Sequence, residues 1–218
     1  MENIVKIIIV DDHEIFRSGL KMVLGKLDYV EVVGEAANGQ EFLDLTRRIV
    51  CDIVLMDIEM PIMNGIDTTK IALKENPQLK VIALTMFTED DYVQSMIDAG
   101  VAGFLVKNIN KDTLNKAITS VAGGGNYYSE ELFKFFTRKF QTKGENKDGD
   151  KVHFTSREKE ILQLLSEGLN NKEIAEVLYI SERTVVGHKS NMLAKTGCKH
   201  AIGLLAYALR NKLVIIWL

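Results

Sequence analysis

Asp11, Asp12, Asp57, Thr85 and Lys107 are the residues whose types and placement could do chemistry together. Each closes or directly follows a short apolar run: residues 4–10 before Asp11-Asp12, 52–56 before Asp57, 80–84 before Thr85, and 102–106 before Lys107. If these runs are neighbouring strands, all five residues meet on one rim. Three carboxylates in one cleft repel each other unless a cation sits among them. Hard oxygen donors favour Mg²⁺, which keeps some of its waters and takes few protein ligands. A carboxylate held beside such an ion can attack a phosphoryl group and form an aspartyl phosphate. Mg²⁺ and Lys107 would neutralise the phosphoryl oxygens, and the Thr85 hydroxyl can donate a hydrogen bond to one of them. Any one of these residues could simply end a strand. Their joint occurrence on successive strand ends argues for a site.

The elements that must position them follow from periodicity. The apolar runs, with one more at 29–33, alternate with helical patterns at 13–25, 39–48, 65–75, 89–99 and 110–121. Five strand–helix units predict an α/β fold, a doubly wound five-stranded parallel sheet with helices on both faces. In such sheets the functional cleft lies at the carboxyl ends of the strands. Gly123-Gly124-Gly125 ends this pattern, and the polar stretch 141–150 reads as a linker. Beyond it the pattern is purely helical. Thr155 and Glu158 form a capping box, followed by an apolar stripe of Ile161, Leu164 and Leu165, and Gly168 stops the helix. A second helix starts at Asn170 and is expected to bury Ile174, Ala175, Val177 and Leu178. The short turn Tyr179-Ile180 leads to Ser181, the N-cap of a third helix that ends near Gly197. A fourth runs from about 201 to 211. Two helices joined by a tight turn inside a four-helix bundle predict a helix-turn-helix. The expected organisation is residues 1–123, a linker at 124–150, and a small all-α domain at 151–218.

The chain has 218 residues, 46% of them hydrophobic, and lacks an apolar run long enough for a membrane span. Its two cysteines, Cys51 and Cys198, lie far apart and outside any CxxC pair, which fits a reducing cytoplasm rather than a disulfide framework. Net charge is −3, unevenly spread. Residues 1–123 carry 12 Lys/Arg against 19 Asp/Glu, a net −7, whereas residues 151–218 carry 10 against 6, a net +4. The two halves are expected to attract, with screening by salt.

The motifs Val10-Asp11-Asp12-His13, Leu55 through Pro61, Asn64-Gly65, Leu84-Thr85 and Ala99 through Lys107 resemble those of the receiver domains of two-component response regulators, over residues 4–123. The resemblance implies a flavodoxin-like sheet with Asp57 as phosphoacceptor. It implies Asp12, Asp57 and the backbone carbonyl of Glu59 as Mg²⁺ ligands, with Asp11 assisting through water. Thr85 and Phe104 match the family's switch pair, whose hydroxyl moves to the phosphoryl group as the ring turns inward. Two positions depart from the usual pattern: Asn108 follows Lys107 where many receivers have Pro, and bulky Met86 follows Thr85. His13 is read as a helix start rather than a phosphorelay histidine.

Residues 153–215 resemble the LuxR-type effector of the NarL/FixJ group, in Phe154 through Leu162, Gly168 through Ala175, Leu178 through Val185, and His188 through Lys195. The resemblance implies double-stranded DNA as a partner and places the third effector helix in the major groove. By position, Val186, Gly187 and Ser190 would face base edges, and Thr184, His188, Lys172, Lys189 and Lys195 would approach phosphates. Many members carry Lys, Arg or Asn at some base-facing positions; this chain has none there. The stripe Ala201, Leu204, Leu205 and Ala208 would pair effectors in a homodimer when the protein is phosphorylated by a sensor histidine kinase. The expected function is transcriptional control, not enzymatic turnover. The competing readings are a Mg²⁺-dependent phosphohydrolase with an aspartate nucleophile, and a signalling protein that acts by protein contacts without DNA.

Overall fold

The computed structural model describes residues 4–86, 90–129, 132, 152–198 and 200–214. In chain order they form β1 (Val5–Val10), α1 (Glu14–Leu24), β2 (Val30–Ala36), α2 (Gly39–Thr46), β3 (Ile53–Asp57), α3 (Gly65–Glu75), β4 (Lys80–Thr85), α4 (Asp90–Ala99), β5 (Gly103–Val106), α5 (Lys111–Ala122) and β6 (Tyr127–Tyr128). The strands make one sheet in the order β2-β1-β3-β4-β5-β6, and every adjacent pair is parallel. β3 is buried along its whole length, as a central strand covered on both faces must be. Side chains alternate between two cores. Ile7 and Ile9 pack with Leu20 and Leu24 of α1 and Leu114 and Ile118 of α5, while Ile8 and Val10 pack with residues of α2, α3 and α4. The register pairs Val10 with Met56, Asp57 with Leu84, and Thr85 with Val106. It therefore brings the polar strand ends to one rim.

Two differences from the sequence reading have plain causes. The sheet has six strands, because Tyr127 and Tyr128 pair with Gly103 and Phe104. Two residues are too few for alternation to announce a strand. β2 extends three residues beyond the expected end at Val33. It is a half-buried edge strand containing Gly34 and a register shift opposite Ile7/Ile8, so its apolar signal is diluted.

After residue 151 the chain forms α6 (Ser156–Ser166), α7 (Asn171–Leu178), α8 (Glu182–Thr196) and α9 (Ala201–Arg210). Both capping boxes are made, Thr155 with Glu158 and Asn170 with Glu173, and the Ser181 side chain accepts from Thr184 N–H. The bundle core includes Phe154, Ile161, Ile174, Val185, Met192 and Leu204. Val177, expected in that core, is 51% exposed. The inward stripe of α7 is Asn171, Ile174, Ala175 and Leu178, at helical spacing, and Val177 lies off it. The α9 stripe is also committed internally: Leu204, Leu205 and Ala208 are buried, while Ala206 and Leu209 pack against the receiver-side core. As a face for pairing two effectors it is already occupied in this arrangement. Of the apolar tail, Val214 is buried in the bundle core; residues 215–218 and the linker stretch 141–150 lie outside the described residues. No helix among the described residues is long and apolar enough to cross a membrane.

Candidate functional site

At the carboxyl rim of the sheet, Asp11 follows β1, Asp57 ends β3, Thr85 ends β4 and Lys107 follows β5. Asp11, Asp57 and Thr85 are buried, whereas Asp12 and Glu59 are exposed. The Lys107 ammonium lies 2.7 Å from Asp57 Oδ2, to which it donates a hydrogen bond, and 2.7 Å from Asp11 Oδ2. The second contact is an ion pair without hydrogen-bond alignment, which leaves buried Asp11 Oδ2 with no hydrogen-bond donor. Lys107 is itself steadied from below by the Phe16 ring, 5.0 Å away at its centroid. Arg17 donates to the Asp11 backbone carbonyl. His13 is the N-cap of α1; its N–H donates to Asp11 Oδ1 at 2.9 Å and its Nδ1 lies 2.9 Å from Asp12 Oδ1. The neighbourhood of Asp57 is closed from the α3 side. A Cβ on Gly65 would sit 1.9 Å from the Asp57 carbonyl oxygen, so only a bare Cα lets Gly65 N–H reach Ile58 O at 2.8 Å.

Burial raises the Asp57 carboxyl to about 6, with Asp11 pushing the same way and the Lys107 hydrogen bond opposing. A cation fits this pocket on the chemistry of its donors. Asp11, Asp12, His13 and Asp57 each offer a ligand atom, all within 4.8 Å of one another. Three carboxylates face one lysine, and Asp11 Oδ2 still lacks a donor. The Glu59 side chain is not among those ligand atoms, leaving its backbone carbonyl as its possible contribution. Phe104, on β5, is fully buried among Met56, Ala83, Val93 and Met96, so its ring is turned inward. Met86, directly after Thr85, is exposed.

The second candidate surface is the outer face of α8. Thr184, Val186, Gly187 and Ser190 are all exposed, and Lys172 is exposed at the start of α7. A Cβ on Gly187 would meet nothing within 4 Å. His188 is half-buried. The two lysines expected at phosphates are engaged elsewhere. Lys195 donates to both oxygens of buried Glu158, at 2.8 and 2.7 Å. Burial would raise the Glu158 carboxyl, but the Lys195 and Thr155 hydrogen bonds win and hold it below the ordinary value. Lys189 is 8% exposed. Its ammonium donates to Asn171 Oδ1 at 2.9 Å and to Asn126 Oδ1 at 3.3 Å. Desolvation lowers it to about 8. Asn171 in turn donates to Gly124 O, so this cluster joins α7 and α8 to the segment between α5 and β6. A second junction lies at α4: a Cβ on Gly100 would meet the His200 ring at 2.7 Å. Sequence reasoning missed Asn126, Asn171, Glu158 and Phe16 as partners. Their spacings to Lys189, Lys195 and Lys107 follow no local period.

Two family models match the chain: the response regulator receiver domain over residues 7–119, and the luxR family of bacterial regulatory proteins over residues 152–208. Among similar proteins, the transcriptional regulatory protein MctR of Rhizobium johnstonii is 37% identical, over 96% of this chain and 95% of its own length. LnrK of Bacillus subtilis is 38% identical, over 94% and 97%. The oxygen regulatory protein NreC of Staphylococcus aureus is 36% identical, over 96% and 99%. Among solved structures, the RcsB response regulator of Salmonella typhimurium aligns at TM-score 0.60 and 28% identity, covering 94% of this chain and 98% of that one. An RcsB–DNA complex aligns at TM-score 0.59 and 26% identity, over 95% and 99%.

Proposed function

This chain belongs to the two-component response regulators that join a receiver to a luxR-type DNA-binding domain, and from that premise we propose that Asp57 is the phosphoacceptor through which a sensor histidine kinase controls its transcriptional activity. The observation that carries the assignment is the Lys107 ammonium at 2.7 Å from Asp57 Oδ2. With Lys107 on one oxygen, the other is presented for attack on a phosphoryl group. A P–O bond forms at Asp57 as the bond to the donor nitrogen breaks. Lys107 then lies beside the new phosphoryl oxygens, where a fixed cation opposes their charge. Thr85, on the adjoining strand end, can donate to another oxygen. Mg²⁺ held by Asp12, Asp57 and the Glu59 carbonyl, with Asp11 behind them, would supply further charge neutralisation there.

The reading extends to the rest of the chain. Residues 1–123 act as the receiver, 124–150 as the connection, and 151–218 as the DNA-binding unit, working in the cytoplasm and as a homodimer once phosphorylated. Val186, Gly187 and Ser190 face the major groove, while Thr184, His188 and Lys172 approach phosphates. Lys189 reaches DNA only after leaving Asn126, and Lys195 only after leaving Glu158. Solved complexes of RcsB with DNA support such a partner. Turnover of phosphomonoesters is not expected, since the family is one of transcription regulators. Intact mass spectrometry tests the core of the reading. With Mg²⁺ and a small phosphodonor, the wild type should gain one phosphoryl group and Asp57→Asn none. A variant that gains it at the wild-type rate refutes the assignment.

A further inference from the structure

We infer that Tyr179 is a DNA-backbone contact, a sequence-independent clamp at the elbow of the helix-turn-helix. The inference rests on the reading of α8 as the helix that enters the groove. Tyr179 caps α7 with φ 54° and ψ 45°, the left-handed region that a residue with a Cβ enters at a cost and glycine enters freely. The backbone shape does not come from its side chain. Ile180 N–H bonds back to Ala175 O at 3.0 Å and Tyr179 N–H to Glu176 O at 3.3 Å. From α6, Arg157 Nη2 donates to Leu178 O at 2.6 Å. These bonds hold the turn whatever residue stands at 179. The tyrosine side chain is 95% exposed, so it contributes almost nothing to the bundle core. A costly conformation therefore carries a large aromatic residue that the fold does not use.

Its position suggests the use. Two residues later Ser181 caps α8, and the exposed first turns of that helix hold Thr184, Val186 and Gly187. In a helix-turn-helix the amino-terminal part of the second helix meets the base edges, so residues just ahead of it run alongside the sugar-phosphate strand. A tyrosine suits that strand: its ring packs flat on deoxyribose and its hydroxyl donates to a phosphate oxygen. The need is plain in this chain, because Val186, Gly187 and Ser190 provide no bidentate hydrogen bond to a base. The site stays open while Lys189 is engaged at Asn126.

The experiment compares full-length, phosphorylated wild type, Tyr179→Gly and Tyr179→Phe on specific and random duplexes across a salt series, with melting temperatures alongside. Tyr179→Gly should melt a few degrees higher, because glycine relieves the left-handed backbone. It should bind every duplex about fivefold to tenfold more weakly. The salt slope should stay at the wild-type value, because tyrosine neutralises no phosphate. Tyr179→Phe should fall between the two in affinity. Wild-type affinity in the glycine variant overturns the assignment, as does weakened binding accompanied by a flatter salt slope or a lower melting temperature. Failure of the wild type itself to bind any duplex at low salt overturns the DNA reading and this inference together, which separates the two failures.

Discussion

At Asp57 the burial that shields the acceptor also raises its carboxyl from an ordinary 3.8 to about 6. The folded protein therefore holds a proton there between about pH 4 and 6 that the unfolded chain has released. This contribution to stability is complete below pH 4 and is lost as pH rises through 6. The reactive species is the carboxylate, so acceptance of phosphate should fall as pH drops through the Asp57 midpoint, which Mg²⁺ places below the metal-free value of about 6. Carboxyl carbon NMR of protein stripped of divalent ions should give a midpoint near 6 that moves down on adding Mg²⁺; a midpoint near 4 without the ion counts against this account. Beside it, Met86 is exposed and directly follows Thr85. If it narrows access, Met86→Ala should accelerate phosphorylation by small donors, as read by intact mass over time, and an unchanged or lower rate refutes the gate. The acidic residues were legible in sequence because a parallel sheet sends successive strand ends to one rim. The Phe16 support under Lys107 and the Lys195–Glu158 pair were not, because each joins residues from different elements at no fixed spacing.

The elements were read most securely where a local chemical signal marks them. The two capping boxes open α6 and α7, whereas the caps of α3 and α5, in which the Asn64 and Asn110 side chains accept from Asp67 N–H and Thr113 N–H, emerge only in the structure. Sequence pattern is silent where tertiary context decides. β6 exists because β5 offers an edge, and Val177 faces solvent because only four positions of a short helix can point inward. On α8 the open position at Gly187 leads to a test of how this helix reads DNA. Gly187→Arg should add a side chain where nothing obstructs it and remove a helix-weakening glycine. If α8 lies in the major groove, the variant should gain about 1–3 kcal/mol of preference for G at one half-site position. Single-base substitution across the half-site measures this, and an unchanged base profile places Gly187 away from the base edges.

On the scale of the whole molecule, the −7 and +4 halves are not joined by lysine or arginine ion pairs among the described residues; those pairs all lie within one half. The junctions are apolar packing of Ala206 and Leu209 on the receiver-side core, the His200 ring over Gly100, and the amide cluster around Lys189. The attraction expected from net charge thus finds no lysine or arginine ion pair among the described residues, and the contacts named above are apolar packing and hydrogen bonds between an ammonium and amides. Asn126→Ala removes one acceptor and should loosen the docked arrangement. Solution scattering of the unphosphorylated variant should report a larger radius of gyration, and its DNA affinity should rise. Identical scattering profiles would exclude Asn126 as a tie between the halves.

The Lys189 cluster has a consequence for how large a signal the molecule needs. Among the described residues no carboxylate lies within ion-pair distance of its ammonium, and burial has lowered its proton affinity to about 8. A docked form that keeps a desolvated cation among amide oxygens sits higher in free energy than one closed by apolar contacts alone. The gap between docked and released populations is narrower by that amount. A ligand or modification can shift such an equilibrium only by its differential affinity for the two states, and a narrower gap lets a smaller differential move most of the population. The same lysine ties this balance to acidity. Burial holds its pKa near 8, below the ordinary 10.5, so whatever part of that burial docking supplies makes docking strengthen as pH climbs through that interval and leaves it weakest below it.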